Sequence, residues 1–517
     1  MGEIFSSYTR LTTVIPAKYN WAAFDVLLLM TICTCLIWFL QLIWSRRRLY
    51  KCSMEMPGPP GLPIFGSFML FMGDSYEIFQ NISKLFETYP GVFRVWLGPR
   101  LFYAVSDPKY FEILFTKCLA KERLNYKADF VVGKGLFTAE LWSWKIHRKM
   151  ITPTFNPQIL DTFVQVFSEQ GEVLTDILDN YAGKGEFDVF NVISKCTLDI
   201  ICETAMGIKV NAQTTDADFT KWTDRIMEIV FLRIFVLWYQ NDFIFNLSPL
   251  GKESRNIVKG MRDFTGRVVR EKKKAYEERK NCSDNDEVPL KRKAFLDYLM
   301  EVTNDENVAF TDQELQDEVT TFIIAGSDTS ASTSCYAFIM LGLHPHLQDK
   351  VFDEIMEVVG PDGRIEGSDL PKLKFLERFI KETLRLFPVG GILARAVDED
   401  IDLGDCIIPA GVSVAFGILR AHTNEAYWPD PYKFDPDRFL PEEVAKRHPC
   451  AYVPFSYGPR KCIGLQYAMM AMKTLIATVV RKFRISTSYQ RVEDIKLKAH
   501  LVLRPKDGFK VSMQRRA

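Results

Sequence analysis

One pattern constrains the fold of this chain more than any other: a very long helix that has to be buried. Thr311-Asp312-Gln313-Glu314 matches the Thr-x-x-Glu capping box that opens a helix. Apolar residues then recur until Pro345, about 34 residues, which predicts a helix roughly 50 Å long at 1.5 Å per residue. So long a helix in a globular body must cross its interior. Its centre, FIIAGSDTSAST over 322–333, is nevertheless small and polar.

Composition narrows the class of protein. The 517 residues include 65 basic and 65 acidic ones, and this zero net charge argues against nucleic acid as the main partner. The 11 cysteines are irregularly spaced without a CxxC pair, which argues against a zinc site or a disulfide framework and favours a reducing compartment. We find no linker or repeat after the N-terminus. The sequence predicts one large, mainly α-helical domain with small β-sheets, including strands near 92–96, 102–105, 401–408 and 412–416.

The N-terminal region predicts a membrane anchor. Residues 26–44 are about 19 uncharged, mostly apolar residues, enough to span a bilayer as a helix. Arg46, Arg47, Arg48 and Lys51 follow directly and should stay cytoplasmic. The apolar run is too long for a cleaved signal peptide. We expect a lumenal N-terminus over 1–25, a transmembrane signal anchor over 26–44, a basic and Pro-rich hinge over 45–63, and the globular domain over 64–517.

The segment FSYGPRKCIG, residues 455–464, contains the most informative cysteine. Gly458 and Pro459 favour a tight turn, and Gly464 allows the backbone to approach a flat ligand closely. A helical pattern begins just after Cys462. Its backbone N–H groups and positive end would stabilise a thiolate at that position.

This segment resembles the cysteine-ligand signature FxxGxRxCxG of the cytochrome P450 family. All five fixed positions are filled, by Phe455, Gly458, Arg460, Cys462 and Gly464. The resemblance implies the cytochrome P450 fold and a non-covalent haem b with Cys462 as the proximal thiolate ligand of the iron. It also implies that Arg460 binds a propionate and that Phe455 packs beside the sulfur. The alternative is an ordinary buried cysteine in a glycine-rich turn.

Other family motifs are present at matching places. Glu382-Thr383-Leu384-Arg385 resembles the family's ExxR, whose Glu and Arg share a helix face and can pair. Arg438 resembles the third member of the family's Glu-Arg-Arg network, which implies a structural role beneath the cysteine loop.

Three further residues resemble haem-propionate ligands. Trp144 and Arg148, four apart on a predicted helix, match the family's WxxxR. Arg395, ten residues after Arg385, matches a further propionate-binding arginine. An interface tryptophan and ordinary surface arginines are the alternatives.

Residues 325–329 at the centre of the long helix match the family pattern [AG]Gx[DE]T. The Thr329 hydroxyl can bond a carbonyl one turn back and bend the helix, and Gly326 would leave room for dioxygen. Asp328 would deliver protons from solvent through Thr329, so that O–O cleavage releases water. The alternative is a polar stripe between packed helices.

The segments HRKMITPTFN, DPDRFLPE and KRHP resemble the animal microsomal clan that includes the fatty-acid ω-hydroxylases and its insect branch. Many members of that clan carry a Glu that can esterify the haem where this chain has Ala325. Because alanine cannot form that ester, we expect non-covalent haem, and strict ω-regioselectivity is in doubt.

The resemblance implies a monooxygenase that inserts one oxygen atom into an apolar substrate with electrons from NADPH. A reductase would supply them at the cytoplasmic face of the endoplasmic reticulum, with cytochrome b5 as a second candidate partner. Basic residues near the thiolate side could attract an acidic reductase: Lys145, Lys149, Lys446, Arg447 and Lys461. The rival functions are a haem-thiolate isomerase or dehydratase acting on a hydroperoxide, and a non-catalytic haem or ligand-binding protein. Fatty acids, other lipids, pheromone-like chains and xenobiotics are all candidate substrates.

Overall fold

The computed structural model describes residues 17–62, 64–215, 218–282, 295–303 and 310–516. Of the predicted lumenal segment 1–25, residues 1–16 lie outside this part of the chain. The chain forms two compact units, one ending at Met56 and one starting at Pro57. In chain order the helices are α1 Ala17–Ser45, α2 Arg47–Met54, α3 Ser75–Thr88, α4 Pro108–Lys117, α5 Asp129–Val132, α6 Leu141–Ile151, α7 Pro157–Leu178, α8 Phe190–Ile201, α9 Phe219–Phe235, α10 Asp242–Leu247, α11 Pro249–Cys282, α12 Phe295–Thr303, α13 Asp312–Leu343, α14 Pro345–Val358, α15 Lys374–Leu386, α16 Ile418–His422, α17 Pro441–Ala445 and α18 Leu465–Lys482.

The strands are short and form four small sheets. They are β1 Val92–Leu97, β2 Arg100–Val105, β3 Phe187–Asp188, β4 Ile392–Ala396, β5 Ile401–Asp402, β6 Ile407–Ile408, β7 Ser413–Gly417, β8 Phe483–Ser486, β9 Leu497–His500, β10 Val502–Pro505 and β11 Lys510–Arg515. The largest sheet has the order β1-β2-β7-β4, with β2 and β7 parallel and the other pairs antiparallel. The remaining sheets are β3-β11-β8, β9-β10 and β5-β6.

The first unit consists of α1 and α2. Phe24–Ser45 within α1 is long and apolar enough to cross a bilayer, judged by its length and composition alone. The helical conformation predicted for the apolar segment is therefore confirmed. After α2 ends at Met54, the proline-rich chain continues without helix, because proline lacks the N–H that a helix interior needs.

In the second unit, α13 is the central helix that its sequence predicts. Its N-cap, Thr311, accepts the N–H of Glu314, and the Glu314 carboxylate accepts the N–H of Thr311 in return. Almost all of its side chains from Leu315 to Leu341 are buried. α13 therefore crosses the interior, as expected, and brings its small polar centre to the middle of the molecule.

The predicted strands are also found, with small shifts at their ends. The segments predicted near 92–96 and 102–105 are the hairpin β1-β2, and the one near 412–416 is β7. The segment 401–408 is not one strand but the short hairpin β5-β6. The mainly helical fold with small sheets is confirmed.

Candidate functional site

The loop before α18 holds Cys462 in a turn that only glycine can build. Gly458 has φ 72°, and a Cβ there would lie 2.9 Å from the carbonyl oxygen of Phe115. The N–H of Lys461 donates to the carbonyl of Gly458 at 3.1 Å, and the N–H of Cys462 donates to that of Phe455 at 2.9 Å. These bonds fix the backbone of Cys462 three residues before the helix starts.

The Cys462 side chain is accessible, but the protein around it desolvates the thiol. Desolvation raises the pKa of Cys462 above its ordinary value, while the backbone N–H of Gly464 and the positive charge of Arg148 oppose that shift. A cation bound directly to the sulfur would complete the stabilisation of a thiolate, since a coordinating thiol is deprotonated outright. Among the described residues, no cluster of three or more His, Cys, Asp or Glu is suited to a metal.

Two elements bring cationic and aromatic side chains beside this loop. Trp144 on α6 is buried, and the guanidinium of Arg460 from the cysteine loop stacks over its ring at 4.2 Å. Arg148 lies one turn further along α6 and is close enough to Cys462 to act on its charge. The structure therefore groups Trp144, Arg148, Arg460 and Cys462, as the sequence predicts.

Arg395 and Lys121 extend this group. An isolated antiparallel β-bridge pairs Lys121 with Arg395. Arg395 lies on β4 and is also paired with Val414 of β7. Burial lowers the pKa of Arg395 to about 10; burial and the charges of Arg395 and Arg460 lower that of Lys121. No carboxylate of the described residues forms an ion pair with Arg395 or Lys121. Clustered cations of this kind fit an anionic ligand, because buried charges need a partner.

Gly464 leaves space on the other side of the loop. A Cβ at Gly464 would meet only Phe155, at 4.0 Å, so the glycine presents an open backbone surface next to Cys462. Phe455 is partly buried in the same loop. An accessible sulfur, an open backbone and nearby cations together suit a flat, anionic group that carries its own metal.

The centre of α13 lines a cavity that we call the distal cavity. Ala325, Asp328 and Thr329 line it together with Lys121 and Arg395. The Thr329 hydroxyl donates to the carbonyl of Ala325 at 2.7 Å, so the predicted bond one turn back is confirmed. Lys121 and Arg395 thus line the same cavity as the small polar centre of α13.

Two expectations for this helix need correction or extension. Gly326 does not line the distal cavity; a Cβ there would lie 2.7 Å from Cδ1 of Ile201, so the glycine permits α8 to pack closely against α13. Asp328 lines the cavity but is also buried against Arg504, whose Nη2 lies 2.6 Å from its Oδ1. Sequence reasoning missed Arg504, because it lies 176 residues away in a β-hairpin.

The predicted ion network exists and is buried. Arg385 pairs with Glu382 through two bonds of 2.7 and 2.8 Å, and both side chains are fully buried. Arg438 approaches the same carboxylate at 3.5 Å and donates to two backbone carbonyls at 2.6 and 2.9 Å. The pairing of Glu382 with Arg385, and the place of Arg438 as third member, are confirmed.

A buried histidine connects this network to the cysteine loop. The imidazole Nδ1 of His422 lies 3.2 Å from the carbonyl of Arg385, and its Nε2 accepts the N–H of Val453 at 2.9 Å. Val453 precedes Phe455, whose carbonyl holds Cys462. His422 was not singled out from the sequence, since a lone histidine after a strand has no periodic or motif signal.

Comparison with known proteins decides the family. The family model described as Cytochrome P450 matches residues 56–513.

The chain belongs to the cytochrome P450 family.

Its relatives include cytochrome P450 4c3 of Drosophila melanogaster, 34% identical over 99% of this chain and 96% of the relative. Cytochrome P450 4V2 of Homo sapiens is 34% identical over 88% of each chain, and cytochrome P450 4c21 of Blattella germanica is 33% identical over 89% and 93%. Insect and mammalian members of one clan therefore match nearly the full length, as the resemblance implies.

Membership establishes the chemistry of this cytochrome P450 in outline. It is a haem-thiolate monooxygenase whose haem b is bound non-covalently. The residues present fit that group: an accessible thiol, the cations of Lys121 and Arg395, which pair with no carboxylate of the described residues, and an open glycine backbone. Alanine at position 325, exposed in the distal cavity, agrees with non-covalent attachment because it offers no carboxylate.

The predicted basic patch is smaller than its sequence suggests. Arg447 stacks over Trp428 at 4.1 Å and donates to the carbonyl of Arg438, so it is a structural residue. Lys446 is paired with Glu443 at 2.6 Å. Lys145 and Lys149 on α6 and Lys461 in the cysteine loop are exposed as well.

Sequence reasoning also missed one surface residue, Trp142. Trp142 on α6 is 75% exposed, and Lys145, Ile146 and Lys149 follow it at helical spacings of three, four and seven. An exposed tryptophan followed by two lysines on the same helix face marks this face of α6 for contact with another molecule, since large exposed aromatics are enriched at interfaces.

Proposed function

We propose that Cys462 is the proximal thiolate ligand of the haem and that this enzyme inserts one oxygen atom into an extended apolar substrate. The observation that carries the proposal is the accessible sulfur of Cys462 in a glycine-built turn, beside the cation of Arg148 and the stacked pair of Arg460 and Trp144. When bound, the haem supplies the iron at which the O–O bond of dioxygen is cleaved, and an axial thiolate favours that cleavage.

The protein's own residues would hold the haem by its carboxylates. Arg148, Arg395 and Arg460 provide the cations, Trp144 orients Arg460 by stacking, and Lys121 is a further cation beside Arg395. Guanidinium groups suit this task because they bind a carboxylate through two parallel hydrogen bonds. Their burial strengthens the interaction with an anion, since the surrounding dielectric is low.

Asp328 and Thr329 would hold and move the protons that oxygen cleavage consumes. The Thr329 hydroxyl donates a hydrogen bond to the carbonyl of Ala325 and can relay a proton between groups in the cavity. Asp328 is the adjacent carboxylate. Thr329→Ala should leave substrate binding intact but divert NADPH and oxygen away from product. Removing a general acid–base group typically costs about 10²-fold or more in rate. Equal coupling in the wild type and Thr329→Ala would remove this residue from the mechanism.

The cavities favour an elongated apolar substrate. A second cavity, the outer cavity, is lined by aromatic and aliphatic side chains from α3, β1, β2 and α9. Ile392, Leu393, Ala394 and Leu501 line both it and the distal cavity. The charged residue of the outer cavity is Glu122, whose carboxylate is occupied by Arg100, Ser413 and a backbone N–H. The two cavities together fit a chain-like molecule whose apolar part reaches Thr329.

Electrons would arrive from NADPH through a flavoprotein reductase, with cytochrome b5 as a second candidate donor. The exposed face of α6 offers Trp142 as an apolar contact and, one and two turns further along, the charges of Lys145 and Lys149. Such a face fits a partner with an acidic surface, because complementary charge raises the rate of productive encounters. Because it lies on the helix that carries Trp144 and Arg148, it would be next to the proposed haem site.

A location on the endoplasmic reticulum membrane, with the catalytic domain on the cytoplasmic face, agrees with two features. Residues 26–44 form the proposed anchor, followed by the basic residues of the hinge 45–63. The globular domain, 64–517, carries its own exposed apolar side chains: Phe65, Met69, Phe243 and Leu247 are each at least half exposed. Large exposed apolar groups of this kind mark a membrane or protein contact.

Reconstitution tests the proposed function. The full-length protein, loaded with haem and combined with NADPH–cytochrome reductase in vesicles, is given unbranched apolar chains of graded length. The expected result is substrate-dependent NADPH use with one oxygenated product per NADPH. Product formation from a hydroperoxide without NADPH use would contradict it and favour the isomerase class. Full haem loading with no turnover of any substrate would favour a binding protein.

A further inference from the structure

Arg504 joins the catalytic helix to the surface of the protein. It lies on β10, and its guanidinium contacts three groups: Nη2 lies 2.6 Å from Asp328 Oδ1, Nη1 2.5 Å from the Ser332 hydroxyl, and Nε 3.1 Å from Asp224 Oδ1. Its guanidinium also stacks over Phe190 at 4.3 Å. The side chain is therefore held on all sides, as a positioning group has to be.

The pair of Arg504 and Asp328 is deeply buried, with 4% of each side chain exposed. Asp328 Oδ2 is buried as well, and no group among the described residues forms a hydrogen bond with it. Because Asp328 lines the distal cavity, Oδ2 is the carboxylate oxygen left for the reaction while Oδ1 is committed to Arg504. A buried carboxylate oxygen without a partner is costly and is typical of functional sites.

The network reaches solvent through Asp224 on α9. The Asp224 side chain is 38% exposed, and it also lies 3.4 Å from His500 Nδ1. His500 in turn approaches Glu228 at 3.7 Å. The titratable and charged groups around Asp328 are therefore Arg504, Asp224 and His500, with Glu228 behind them.

We propose that Arg504 is a positioning residue for proton delivery: it orients Asp328 through Oδ1 and couples the charge of Asp328 to that of the half-exposed Asp224. The proposal rests on the proposed role of Asp328. It adds a residue from another part of the fold, Arg504 on β10, that sets the position and charge of Asp328. It explains why a cation is buried in a β-hairpin next to a catalytic helix.

The electrostatics of the network agree with this geometry. Burial raises the pKa of Asp328, the charge of Arg504 and its hydrogen bond oppose the rise, and Asp224 adds to it. Asp224 and Asp328 thus share the guanidinium of Arg504. A change in the charge of either carboxylate therefore alters the pKa of the other.

The first test reads the charge of Asp328 without turnover. Infrared difference spectra of the haem-loaded protein against pH, with Asp328→Asn to assign the band, follow the C=O stretch of protonated Asp328. In Arg504→Gln the band should persist to a pH about 1–3 units higher, because an opposite charge at contact distance lowers a carboxyl pKa by about that amount. Asp224→Asn should shift the band to lower pH, since a like charge is removed. Identical titrations of the band in the wild type, Arg504→Gln and Asp224→Asn would overturn the proposal.

The second test separates charge from geometry. Arg504→Lys keeps the positive charge but not the three-way contact, so the titration should stay near that of the wild type while product per NADPH falls about tenfold. That loss is smaller than the about 10²-fold expected for removing a general acid. Arg484→Gln is the matched control, because Arg484 pairs with Asp349 at the surface and should change neither readout. Unchanged coupling in Arg504→Lys would show that orientation is not its role.

The outcome for Asp328→Asn distinguishes this inference from the proposed function. If Asp328→Asn leaves coupling intact, the proton-delivery role of Asp328 itself is wrong. If Asp328→Asn uncouples the enzyme and the Arg504 and Asp224 variants behave like the wild type in both tests, the proposed function stands and the role of Arg504 is wrong.

Discussion

Arg504 Nη2 and Asp328 Oδ1 are 2.6 Å apart in a buried ion pair that links β10 to the centre of α13. The two residues are 176 positions apart in the chain. Their contact shows that the small polar centre of the long helix is not an isolated stripe. It is one end of a charged network that continues through Asp224 towards solvent.

The buried network beneath the cysteine loop should be essential for stability. Glu382→Gln is expected to lower the free energy of unfolding by about 3–5 kcal/mol, because it leaves Arg385 buried without its carboxylate. The measurement is chemical denaturation of the haem-loaded protein. The control is Glu377→Gln, which should cost less, because the Glu377 side chain is 36% exposed and its buried partner Lys473 also donates to the carbonyl of Leu370. A smaller loss for Glu382→Gln than for Glu377→Gln would contradict the account.

His422 should make stability depend on pH. Burial and the charge of Arg385 lower its pKa from 6.5 to about 3, so the folded protein keeps a neutral imidazole whose Nε2 accepts from Val453. Between pH 6.5 and about 3 the unfolded chain binds more protons than the folded one. Stability should therefore fall as the pH falls through that window, by up to about 1.4 kcal/mol per unit.

The denaturation midpoint of the wild type and His422→Asn, measured from pH 7.5 downward, checks this. The asparagine variant should start less stable and show a shallower decline with falling pH. His344, whose pKa is lowered to about 4 by burial, contributes equally to both proteins and cancels in the comparison. Parallel pH profiles for the two proteins would rule out the proposed state of His422.

Leu393 lines both the outer and the distal cavity. Leu393→Trp should block long apolar substrates from reaching Thr329, because the added volume fills the junction. Titration with unbranched chains, followed by the substrate-induced spin-state change, should show weaker binding that worsens with chain length. Leu393→Met keeps the volume and serves as the control. Unaltered binding of the longest chains by Leu393→Trp would mean that the two cavities are not one channel.

The exposed face of α6 should determine the affinity for the reductase. Charge reversal at Lys145 and Lys149 is expected to raise the apparent KM for reductase, with an effect that shrinks as salt is added, since salt screens exposed charges. Trp142→Ala should raise it as well, but without that salt dependence. Reversal at Lys446, which is paired with Glu443, is the matched control. If the control variant and the α6 variants behave alike, the partner binds elsewhere.

Much of this architecture follows from local sequence rules. The capping box at Thr311, the glycine turn at Gly458 and the pairing of Glu382 with Arg385 each depend on residues a few positions apart. Spacing along a helix or a turn is enough to predict such contacts. The propionate-binding roles of Arg395 and Trp144 came from family resemblance, and the structure adds the stacking of Arg460 on Trp144.

The residues that sequence reasoning missed depend on long-range packing. Lys121, His422 and Arg504 meet the site through contacts with distant elements, and none lies in a periodic pattern. The expectation for Gly326 was wrong for a related reason. A glycine in a helix can make space for a ligand or for a neighbouring helix, and the sequence does not distinguish the two. The contact with Ile201 shows that Gly326 makes space for the neighbouring helix.

The most direct test of the account is the spectrum of the reduced protein with carbon monoxide. Full-length wild-type enzyme loaded with haem should show the red-shifted Soret band of a thiolate-ligated ferrous complex. Cys462→Ser should lose that band while still binding haem, because the propionate cations and Trp144 are unchanged. Retention of the band in Cys462→Ser, or its absence from the fully loaded wild type, would contradict the assignment of Cys462 as the ligand.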